Sequence, residues 1–573
     1  MNNDEVAGIF DRIGDLLEVK GESTFRVNAY REAARQIRSV GEPIADLAEA
    51  GRLRDIRGVG DAIALKIEEY LRTGRLEYYE KLRQEIPESL VELLQISGLG
   101  PQKARMLHQE LNVQSIADLR EAATSGKLKD LPGMGAKTEQ NIIRELDRWE
   151  QRSRRLPLGV ALPAAEAMAE TLRQQCPAIE RVSPAGSIRR GRDTIGDIDL
   201  VASSTDPKAV IECFVGLPAV KETIGRGETK ASVLTHQNLQ IDLRVVAPDE
   251  WGSILHHFTG SKAHNIKLRE LATARGWRLN EYGIFDEVSG RRLGGTDESD
   301  VYRLLGLVMM PPEMREDTGE IELALKNKIP RLIELDDIRG ELHCHSNWSD
   351  GALPIEDMVA AARARGLTYL AMTDHSQSLG VAGGLTAARI REQRLIVDEI
   401  NRRMPDFRLL TGVELEIRAD GALDFPDDVL AELNIVLASV HSGFNQPRER
   451  MTERILAAVH NPHVDVIAHP TGRLIGRREP YDVDIEAVIE ACAETGTALE
   501  INAHPSRLDL NDEMARRARD RGVLIAINTD AHAPDNLELL RYGIMTARRA
   551  WLEPRHVLNA KPLADLLDWL DRR

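Results

Sequence analysis

The spacing of apolar residues changes along the chain and predicts three kinds of structure. Up to about residue 150 the apolar positions recur at helical intervals, which predicts an all-α region. Beyond Arg152–Arg155 short apolar runs broken by glycine predict an α+β region, with strands at Ile198–Val201, Ser232–Leu234 and Leu239–Val246. From about residue 340 strand-like runs alternate with helical segments. A chain of 573 residues exceeds what one hydrophobic core organises, so separate domains are expected.

Three short segments of the helical region share one pattern, an apolar residue followed by x-Gly-apolar-Gly. They are Ile56–Gly60, Ile96–Gly100 and Leu131–Gly135, and each precedes a helical stretch with Lys or Arg in its first turns. Glycines allow a tight hairpin whose backbone N–H groups can hold a phosphate at a helix N-terminus. One copy is more often only a turn, whereas three copies predict helix-hairpin-helix units. The predicted DNA-binding residues are Gly58, Gly60, Gly98, Gly100, Gly133 and Gly135.

A segment of the α+β region combines a Gly-Ser turn with two aspartates, since residues 186–199 read GSIRRGRDTIGDID. Alternate residues of a strand face the same side, so Asp197 and Asp199 are expected to converge. The run Leu239–Leu243 can bring Asp242 alongside them if it pairs with the first strand. Carboxylates this close repel one another unless a cation lies between them. The three aspartates therefore predict a two-metal site for phosphoryl transfer, whereas an isolated Asp-x-Asp would be no more than solvated strand-end residues.

The same segment resembles the palm signature of the family X DNA polymerases, which belong to the nucleotidyltransferases. Residues 257–261 (HFTGS) and 280–282 (NEY) resemble that family's thumb motifs in the expected order. The resemblance implies a DNA polymerase whose two Mg²⁺ or Mn²⁺ ions are held by Asp197, Asp199 and Asp242. The nucleotide-binding residues that it implies are Gly186, Ser187, Arg190, Gly196, Phe258, Gly260, Asn265 and Arg269.

Within this resemblance each nucleotide-binding side chain has an expected role. Ser187 and Arg190 would hold the triphosphate, and Phe258 would lie against the deoxyribose. Asn265 and Arg269 would contact the nascent base pair from the minor groove. The chain departs from the family pattern at two positions: an expected aromatic residue is His257, and an expected small polar residue is Ile195. Sugar discrimination and triphosphate affinity are the properties that these departures affect.

The first helical unit resembles the small lyase domain of the same family. Lys66 stands at the position of a Schiff-base lysine, and Tyr30 fits a supporting residue. Two other positions that are basic in the family's pocket read Arg26 and Ala62. An amine nucleophile needs a lowered pKa and a phosphate anchor. Lys66 is therefore a candidate lyase nucleophile, and a solvated helix lysine is the alternative.

Beyond residue 340 the strand-like runs end in polar residues of metal-binding types. These ends recur about every 30 residues, the length of one strand with its return helix, and segments such as Ile355–Arg365 and Ile485–Glu494 have helical periodicity. With Asn502 at one further strand end, seven ends predict a seven-stranded parallel barrel with polar residues at its C-terminal mouth. The predicted metal ligands are His343, His345, Asp350, His375, Glu414, His441, His469, Asp530 and His532.

The motifs HCHSNWSDG, TDHS, GVELEI, SVHSGF, AHPTGR and NTDAH resemble the polymerase-and-histidinol-phosphatase (PHP) superfamily, whose nine ligand positions all match. The resemblance implies a phosphoesterase on a distorted (β/α)₇ barrel. Imidazole and carboxylate ligands suit two or three Mn²⁺ or Zn²⁺ ions. A neighbouring polymerase favours a DNA 3′-end as substrate and 3′–5′ exonuclease activity. Abasic-site incision, 3′-phosphatase activity and hydrolysis of a small monoester stay open, and Arg473 is either a phosphate contact or a surface arginine.

Together the two resemblances identify the chain as a member of the bacterial family X DNA polymerases with a C-terminal PHP domain. Gap-filling DNA repair is the expected function, with gapped or primer-template DNA and dNTPs as partners. The alternative is a DNA-end-binding repair scaffold whose PHP domain is a small-molecule phosphatase. The expected divisions are a lyase-like domain (1–80), a helix-hairpin-helix region (81–150), a palm (151–255), a thumb (256–315), a helical linker (316–338) and the PHP domain (339–573).

Composition and charge limit the remaining possibilities. The net charge is −17 and most of it falls after residue 315, so DNA binding is expected to rely on local contacts rather than a global field. No apolar run is long enough for a membrane span, and the acidic N-terminus lacks the pattern of a signal peptide. A cytoplasmic monomer is expected. Cys176, Cys213, Cys344 and Cys492 lie far apart without a CxxC pair, which predicts neither disulfides nor a cysteine zinc site.

Overall fold

The computed structural model describes residues 3–39, 44–56, 58–87, 89–93, 96, 99–152 and 155–571. The chain forms two compact units, residues 1–154 and 155–573. Each unit buries its own set of apolar side chains. Within the described part of the chain, every helix is too short or too polar to span a bilayer.

The first unit is helical throughout its described residues, as the apolar spacing predicts. Its amphipathic helices pack their apolar faces into one core, which includes Phe10, Ile37 and Leu107. The helices are α1 (Asn3–Lys20), α2 (Thr24–Ser39), α3 (Ile44–Glu49), α4 (Asp61–Thr73), α5 (Glu77–Glu85), α6 (Ser89–Leu93), α7 (Pro101–Leu111), α8 (Ile116–Thr124) and α9 (Ala136–Arg152).

The three predicted hairpins share one backbone geometry, which confirms the helix-hairpin-helix prediction. In each, the N–H before the second glycine donates to a carbonyl three residues earlier at 3.0 Å: Val59 to Ile56, Leu99 to Ile96 and Met134 to Leu131. Helices α4, α7 and α9 begin directly after the second glycine. The first glycine has a positive φ at Gly58 (82°) and Gly133 (75°), a backbone that favours glycine. Gly98 lies outside the described residues.

The second unit opens with a five-stranded sheet in the order β2-β4-β7-β6-β5. Strands β4 and β7 are parallel, and their neighbours are antiparallel. The elements are β1 (Leu156–Pro157), α10 (Leu158–Gln175), β2 (Arg181–Pro184), α11 (Gly186–Arg189), β3 (Thr194–Ile195), β4 (Ile198–Ser203), α12 (Pro207–Val215), β5 (Val220–Arg226), β6 (Lys230–Thr235) and β7 (Gln240–Val246). The three predicted strands are confirmed as β4, β6 and β7.

The prediction of no disulfide is wrong for this sheet. Cys176 ends α10 and Cys213 lies in α12, and the two are joined by a disulfide with their Cα atoms 5.9 Å apart. Both helices pack on the same sheet, which brings together cysteines 37 residues apart in sequence. Sequence spacing alone does not reveal that proximity. Cys344 and Cys492 are free and buried, as expected of structural thiols.

A small layer of helices and strands follows this five-stranded sheet. After the divisions expected from the sequence, the sheet is called the palm and the layer the thumb. Its elements are α13 (Trp251–Thr259), α14 (Lys262–Thr273), β8 (Trp277–Asn280), β9 (Gly283–Asp286), β10 (Arg292–Gly294) and α15 (Glu298–Leu304). Residues 316–338, expected to be a helical linker, contain only one short α-helix, α16 (Glu320–Leu325). Ile321 packs into the thumb core and Ile333 into the barrel core, so this segment is buried at both ends. Pro330 and Gly319 keep it from forming a longer helix.

The C-terminal half is a seven-stranded parallel sheet in sequential order, which confirms the barrel prediction. Its elements are β11 (Gly340–Glu341), α17 (Ile355–Ala364), β12 (Tyr369–Met372), α18 (Ala387–Arg403), β13 (Arg408–Glu416), α19 (Asp427–Leu430), β14 (Ile435–Ser439), α20 (Arg448–Val459), β15 (Val466–Ile467), α21 (Ile485–Thr495), β16 (Ala498–Asn502), α22 (Asp512–Asp520), β17 (Ile525–Asn528), α23 (Leu540–Arg549) and α24 (Leu563–Leu570). A parallel bridge between Cys344 and Ala531 nearly closes the barrel.

A buried ion network holds the turn after β2 to the thumb. Arg189 of α11 donates two hydrogen bonds to the carboxylate of Glu298, at 2.7 and 2.8 Å. Arg315, which is fully buried, donates to the same carboxylate. Burial by itself would raise the pKa of Glu298. The two guanidinium groups instead lower this pKa to about 2. Arg189, which precedes the predicted nucleotide-binding residue Arg190, is thereby held against the thumb.

Replacing Glu298 by Gln is expected to destabilise the second unit by about 3 to 5 kcal/mol, because the buried Arg315 and the half-buried Arg189 lose their counter-charge. The folded-state pKa is depressed, so the contribution of Glu298 is present above about pH 4.5 and is lost as the pH falls toward 2. Differential scanning calorimetry at pH 7 and pH 3 measures both effects. The exposed Glu287→Gln variant is the control, and an equal Tm for both variants at pH 7 would contradict the network.

Candidate active sites

The three palm aspartates meet at the end of the central strands. In the parallel pairing of β4 with β7, Asp199 lies directly opposite Asp242, so the predicted pairing of these strands is confirmed. Asp197 immediately precedes β4. Gln240 donates from its side-chain amide to Asp242 Oδ1 at 3.2 Å, which orients that carboxylate. All ligand atoms here are carboxylate oxygens, the type that Mg²⁺ prefers.

The electrostatics of this site call for a cation. Burial, together with the negative charges of Asp242 and Asp197, raises the pKa of Asp199 to about 7. Gly186 stands so close that a Cβ at this position would lie 2.1 Å from Asp199 Oδ2. Its φ of 62° also favours glycine. The Gly-Ser turn and the aspartates therefore form one compact site that fits divalent metal.

Arg190 brings the predicted nucleotide-binding residues of the palm turn next to those at the end of α13. Arg190 donates to the Thr259 carbonyl oxygen at 2.8 Å, which joins the palm turn to the end of α13. Its Nε donates to Glu316 at 2.9 Å, so its guanidinium is already paired with a carboxylate. Ser187 is the second residue of α11, and Gly196 directly precedes Asp197.

The thumb residues surround the α13–α14 junction. Asn265 donates its amide to the carbonyl oxygens of His257, at 2.6 Å, and Gly260, at 3.2 Å. Its own Oδ1 is buried without a hydrogen-bond partner. The exposed Arg269 donates one bond from Nε to the Asn265 carbonyl oxygen. The Phe258 ring lies 5.0 Å below the guanidinium of Arg244, beside the His257 ring.

The nine predicted ligands of the barrel all converge at its mouth. Their atoms form three clusters that could each hold a metal ion, and within each cluster the atoms lie within 4.8 Å of one another. The clusters are His345, Asp350, His375 and His532; His343, His345, Glu414 and Asp530; and His375, Glu414 and His441. The ninth predicted ligand, His469, also lies at these clusters, because its Nε2 is 2.9 Å from Glu414 Oε1.

The buried polar atoms of the cluster test whether metal fits. Among the described residues, seven atoms of the predicted ligands are buried without a hydrogen-bond partner, and they belong to His343, His345, His375, Glu414, His469 and Asp530. Buried polar groups without partners are rare and costly in folded proteins. Imidazole nitrogens and carboxylate oxygens at this density suit Mn²⁺ or Zn²⁺ chemistry. The donor set therefore fits divalent metal in all three clusters.

Sequence reasoning missed the carboxylates that orient these ligands. Glu500 on β16 accepts from His343 Nδ1 at 2.7 Å and from the His469 N–H at 2.7 Å. Glu416 on β13 is 3.0 Å from His441 Nδ1. Each fixes its imidazole so that the other nitrogen faces the cluster. The signal available in the sequence was a single glutamate within the apolar strand-like run at residues 498–501, and the structure buries it fully.

Opposite charges balance within the barrel cluster. Against the effect of burial, nearby carboxylates raise the pKa of His375 to about 10 and that of His441 to about 9. Against the same effect, the surrounding imidazoles hold the pKa of Glu414 well below its usual range. His345 differs, since burial and its histidine neighbours lower its pKa to about 4. Its ring stacks between those of His375 and His532, with distances between ring centroids of 4.4 and 4.2 Å.

Arg473 links the barrel to the palm, and its expected phosphate contact stays a prediction. Its Nη1 donates to Asp193 of the palm at 3.0 Å, and its other nitrogens donate to the carbonyl oxygens of Arg507 and Leu508. The side chain is 13% exposed, so it is not a surface arginine. It joins the loop after β15, which begins with the ligand His469, to the palm loop that leads into Asp197.

Lys66 lies in an aromatic and basic pocket of the first unit. Its Nζ stands 5.0 Å from the Tyr78 ring, and Tyr78 stacks on Tyr30. Arg26 donates to the Tyr78 hydroxyl at 3.0 Å. Burial, together with the charge of Arg26, lowers the pKa of Lys66. A lysine in this environment is a better nucleophile than a solvated one.

Comparison with known proteins decides the family. A model described as DNA polymerase beta thumb matches residues 254–316, and the PHP domain model matches residues 341–504. A helix-hairpin-helix domain matches residues 1–76 and a SAM-like helix-hairpin-helix tandem matches 90–148. The DNA polymerase/3′-5′ exonuclease PolX of Bacillus subtilis (strain 168) is 42% identical over 574 residues, which cover 100% of both chains. The chain belongs to the PolX family.

Other relatives of this PolX-family chain match its barrel alone. A probable phosphatase of Thermoanaerobacter sp. (strain X514) is 30% identical over 38% of this chain and 89% of its own length. A probable phosphatase of Edwardsiella ictaluri (strain 93-146) is 30% identical over 41% of this chain and 94% of its own.

The overlap of the three barrel clusters predicts a graded loss of metal. Asp350 belongs to one cluster and Glu414 to two, so Asp350→Asn should lose about one metal equivalent and Glu414→Gln about two. Inductively coupled plasma mass spectrometry after Mn²⁺ loading and desalting counts the ions. The exposed Asp357→Asn variant is the control. Full metal content in a folded Glu414→Gln variant would show that the cluster is not the metal site.

Proposed function

We propose that this PolX-family chain is a DNA-directed DNA polymerase that fills gaps during repair, and that its barrel is a metal-dependent 3′–5′ exonuclease. The observation that carries the proposal is that one chain brings together two separate groups of candidate ligands, three aspartates in the palm and nine residues in the barrel. The full-length similarity to a relative named for both activities supports it. The domain divisions expected from the sequence form part of the proposal.

In the palm, Asp197, Asp199 and Asp242 would hold two Mg²⁺ or Mn²⁺ ions. Such ions activate the primer 3′-hydroxyl and neutralise charge on the phosphates during in-line transfer. Ser187, with the backbone of Gly186 and Gly196, would bind the triphosphate, and Arg190 would exchange Glu316 for a phosphate oxygen. Phe258 and Gly260 would contact the sugar, and Asn265 and Arg269 the base pair. The glycines of the three hairpins would hold the DNA backbone through their N–H groups.

In the barrel, the nine ligands would hold two or three Mn²⁺ or Zn²⁺ ions. Such ions supply an activated hydroxide and neutralise the oxyanion of phosphoester hydrolysis. Glu500 and Glu416 keep His343 and His441 oriented toward the cluster. The stacked His345 would bind metal through a ring nitrogen. This arrangement can cleave a phosphodiester or a monoester, and the neighbouring polymerase favours a DNA 3′-end.

The two activities should be separable by mutation. On a primer-template with a one-nucleotide gap, Asp197→Ala/Asp199→Ala should abolish extension and keep 3′ degradation. His343→Ala/His345→Ala should do the reverse, because each pair removes ligands of only one site. Gel-resolved primer length, with and without dNTPs and with Mg²⁺ or Mn²⁺, measures both activities. If neither variant changed either activity, both site assignments would fail.

Hydrolysis of a small phosphate monoester is the second candidate for the barrel. The probable phosphatases that match the barrel alone favour it. Steady-state assays with a 3′-phosphate oligonucleotide, an abasic-site duplex, a 3′-hydroxyl oligonucleotide and p-nitrophenyl phosphate compare the alternatives directly. A preference for p-nitrophenyl phosphate over every DNA substrate would replace the exonuclease assignment.

A lyase activity in the first unit is a separate proposal. Lys66 would attack the sugar aldehyde of an incised abasic site and form a Schiff base. Burial and the neighbouring charge of Arg26 lower the pKa of Lys66, which supports this role.

Borohydride trapping tests the lyase. Wild type is expected to form a covalent adduct with 5′-deoxyribose phosphate DNA, and Lys66→Ala should reduce the adduct at least about tenfold, because the nucleophilic amine is gone. Lys81→Ala, which removes an exposed lysine of the same unit, is the control. Adduct formation that is equal in Lys66→Ala and Lys81→Ala would exclude Lys66 as the nucleophile.

A further inference from the structure

The loop between β16 and α22 lies between the barrel cluster and the palm. The Leu508 side chain is fully buried within the palm core, and Pro505 packs against Gly159 at the start of α10. Gly159 has room for no side chain, because a Cβ there would lie 2.4 Å from the Pro505 ring. Residues 503–510 are therefore seated on the palm, although they extend from a barrel strand.

Hydrogen bonds to the backbone of this loop also hold it in place. Arg473 donates to the carbonyl oxygens of Arg507, at 2.8 Å, and Leu508, at 2.5 Å. The Ile475 N–H donates to the Ser506 carbonyl oxygen at 2.7 Å. Leu508 has a φ of 44°, a left-handed conformation that costs a side-chain-bearing residue about 1 to 2 kcal/mol. A conformation of this kind persists only where the surroundings enforce it, so the loop is held rigidly.

The Arg507 side chain points from this rigid loop toward the cluster. Its Nε is 4.0 Å from Asp530 Oδ2, and the side chain is 20% exposed. Among the described residues, none accepts a hydrogen bond from its guanidinium, whose five N–H donors cannot be lost by deprotonation. A largely buried cation with unused donors is costly unless a ligand supplies the acceptors. The position beside Asp530 puts those donors at the predicted metals.

His504 supplies a second donor from the same loop. Its Nδ1 accepts from the Ser506 N–H at 3.3 Å and is 2.7 Å from the Ser506 hydroxyl oxygen. Burial, together with the charge of Arg507, lowers the pKa of His504, so the ring is neutral at neutral pH. With Nδ1 as acceptor, the proton of a neutral ring lies on Nε2. In the described part of the chain nothing accepts from that N–H.

We propose that Arg507 and His504 bind the non-bridging oxygens of a DNA phosphate at the barrel cluster, and that the palm holds them in place. This inference rests on the proposed phosphoesterase function of the barrel. The planar fork of an arginine matches two phosphate oxygens, and the His504 Nε2–H adds a third donor. Because the loop is seated on the palm, the phosphate-binding pair belongs to the whole second unit rather than to the barrel alone.

Substitution of Arg507 in the full-length, Mn²⁺-loaded protein tests the proposal. With a short single-stranded oligonucleotide, Arg507→Gln should lower kcat/KM for 3′ degradation about 10- to 100-fold, the usual effect of one charged hydrogen-bonding group. The plot of log kcat/KM against log salt should become less steep by about 0.7, because one phosphate contact is lost. Arg507→Lys should restore the salt dependence but not the full rate, since it keeps the charge and loses the fork.

Two controls separate phosphate binding from other roles. Arg477→Gln removes an exposed arginine near the same loop and should leave rate, salt dependence and metal content unchanged. Metal content should also be unchanged in Arg507→Gln; a loss of bound Mn²⁺ would overturn the proposal, because the arginine would then act by holding Asp530. Equal kinetics of Arg507→Gln and Arg477→Gln would overturn it as well.

A second substrate distinguishes failure of this inference from failure of the exonuclease assignment. If wild type degrades no DNA but hydrolyses p-nitrophenyl phosphate, the exonuclease assignment fails. The Arg507→Gln and Arg477→Gln variants are then compared on p-nitrophenyl phosphate. A selective loss in Arg507→Gln there would support a phosphate-binding arginine, and no loss would overturn it.

Discussion

Parallel pairing of strands is the constraint on which both candidate active sites depend. Parallel neighbours bring like ends to the same edge of a sheet, so the amino ends meet at one edge, as in the palm, and the carboxyl ends at the other, as in the barrel. In the palm, the β4–β7 pair sets Asp199 opposite Asp242. In the barrel, seven parallel strands gather ligands from His343 to His532 into clusters no more than 4.8 Å across. An antiparallel order would send alternate strand ends to opposite edges and separate the ligands.

Such a concentration of charged and polar groups opposes folding, and the structure offsets this cost locally. In the barrel, imidazoles and carboxylates alternate, so that each stabilises the charge of the next. In the palm the charge of Arg190 offsets burial and the neighbouring carboxylates only in part, and the pKa of Asp199 is raised. Two barrel ligands also have positive φ angles, His469 (31°) and Asp530 (53°). Strain of this kind is common where function fixes the backbone.

The palm and the barrel share side chains at their contact. Glu316 accepts hydrogen bonds from Arg190 of the palm and Arg549 of the barrel, both at 2.9 Å. The Asp193–Arg473 pair links the loops that lead to Asp197 and from His469. The barrel-only relatives have no palm in the matched region. In this chain the palm thus shapes one side of the barrel mouth, a surface that a lone barrel would expose to solvent.

The sequence alone determined the three hairpins, the parallel barrel, the three palm aspartates that converge and the nine barrel residues that cluster. It did so because glycine position, strand period and repeat spacing are local properties of the chain. Only the tertiary structure decided the Cys176–Cys213 disulfide, the buried Glu500 that orients two ligands, and the turning of Arg473 toward the palm. These features depend on which distant segments pack together. A side chain's partner is set by that packing, which no spacing along the chain encodes.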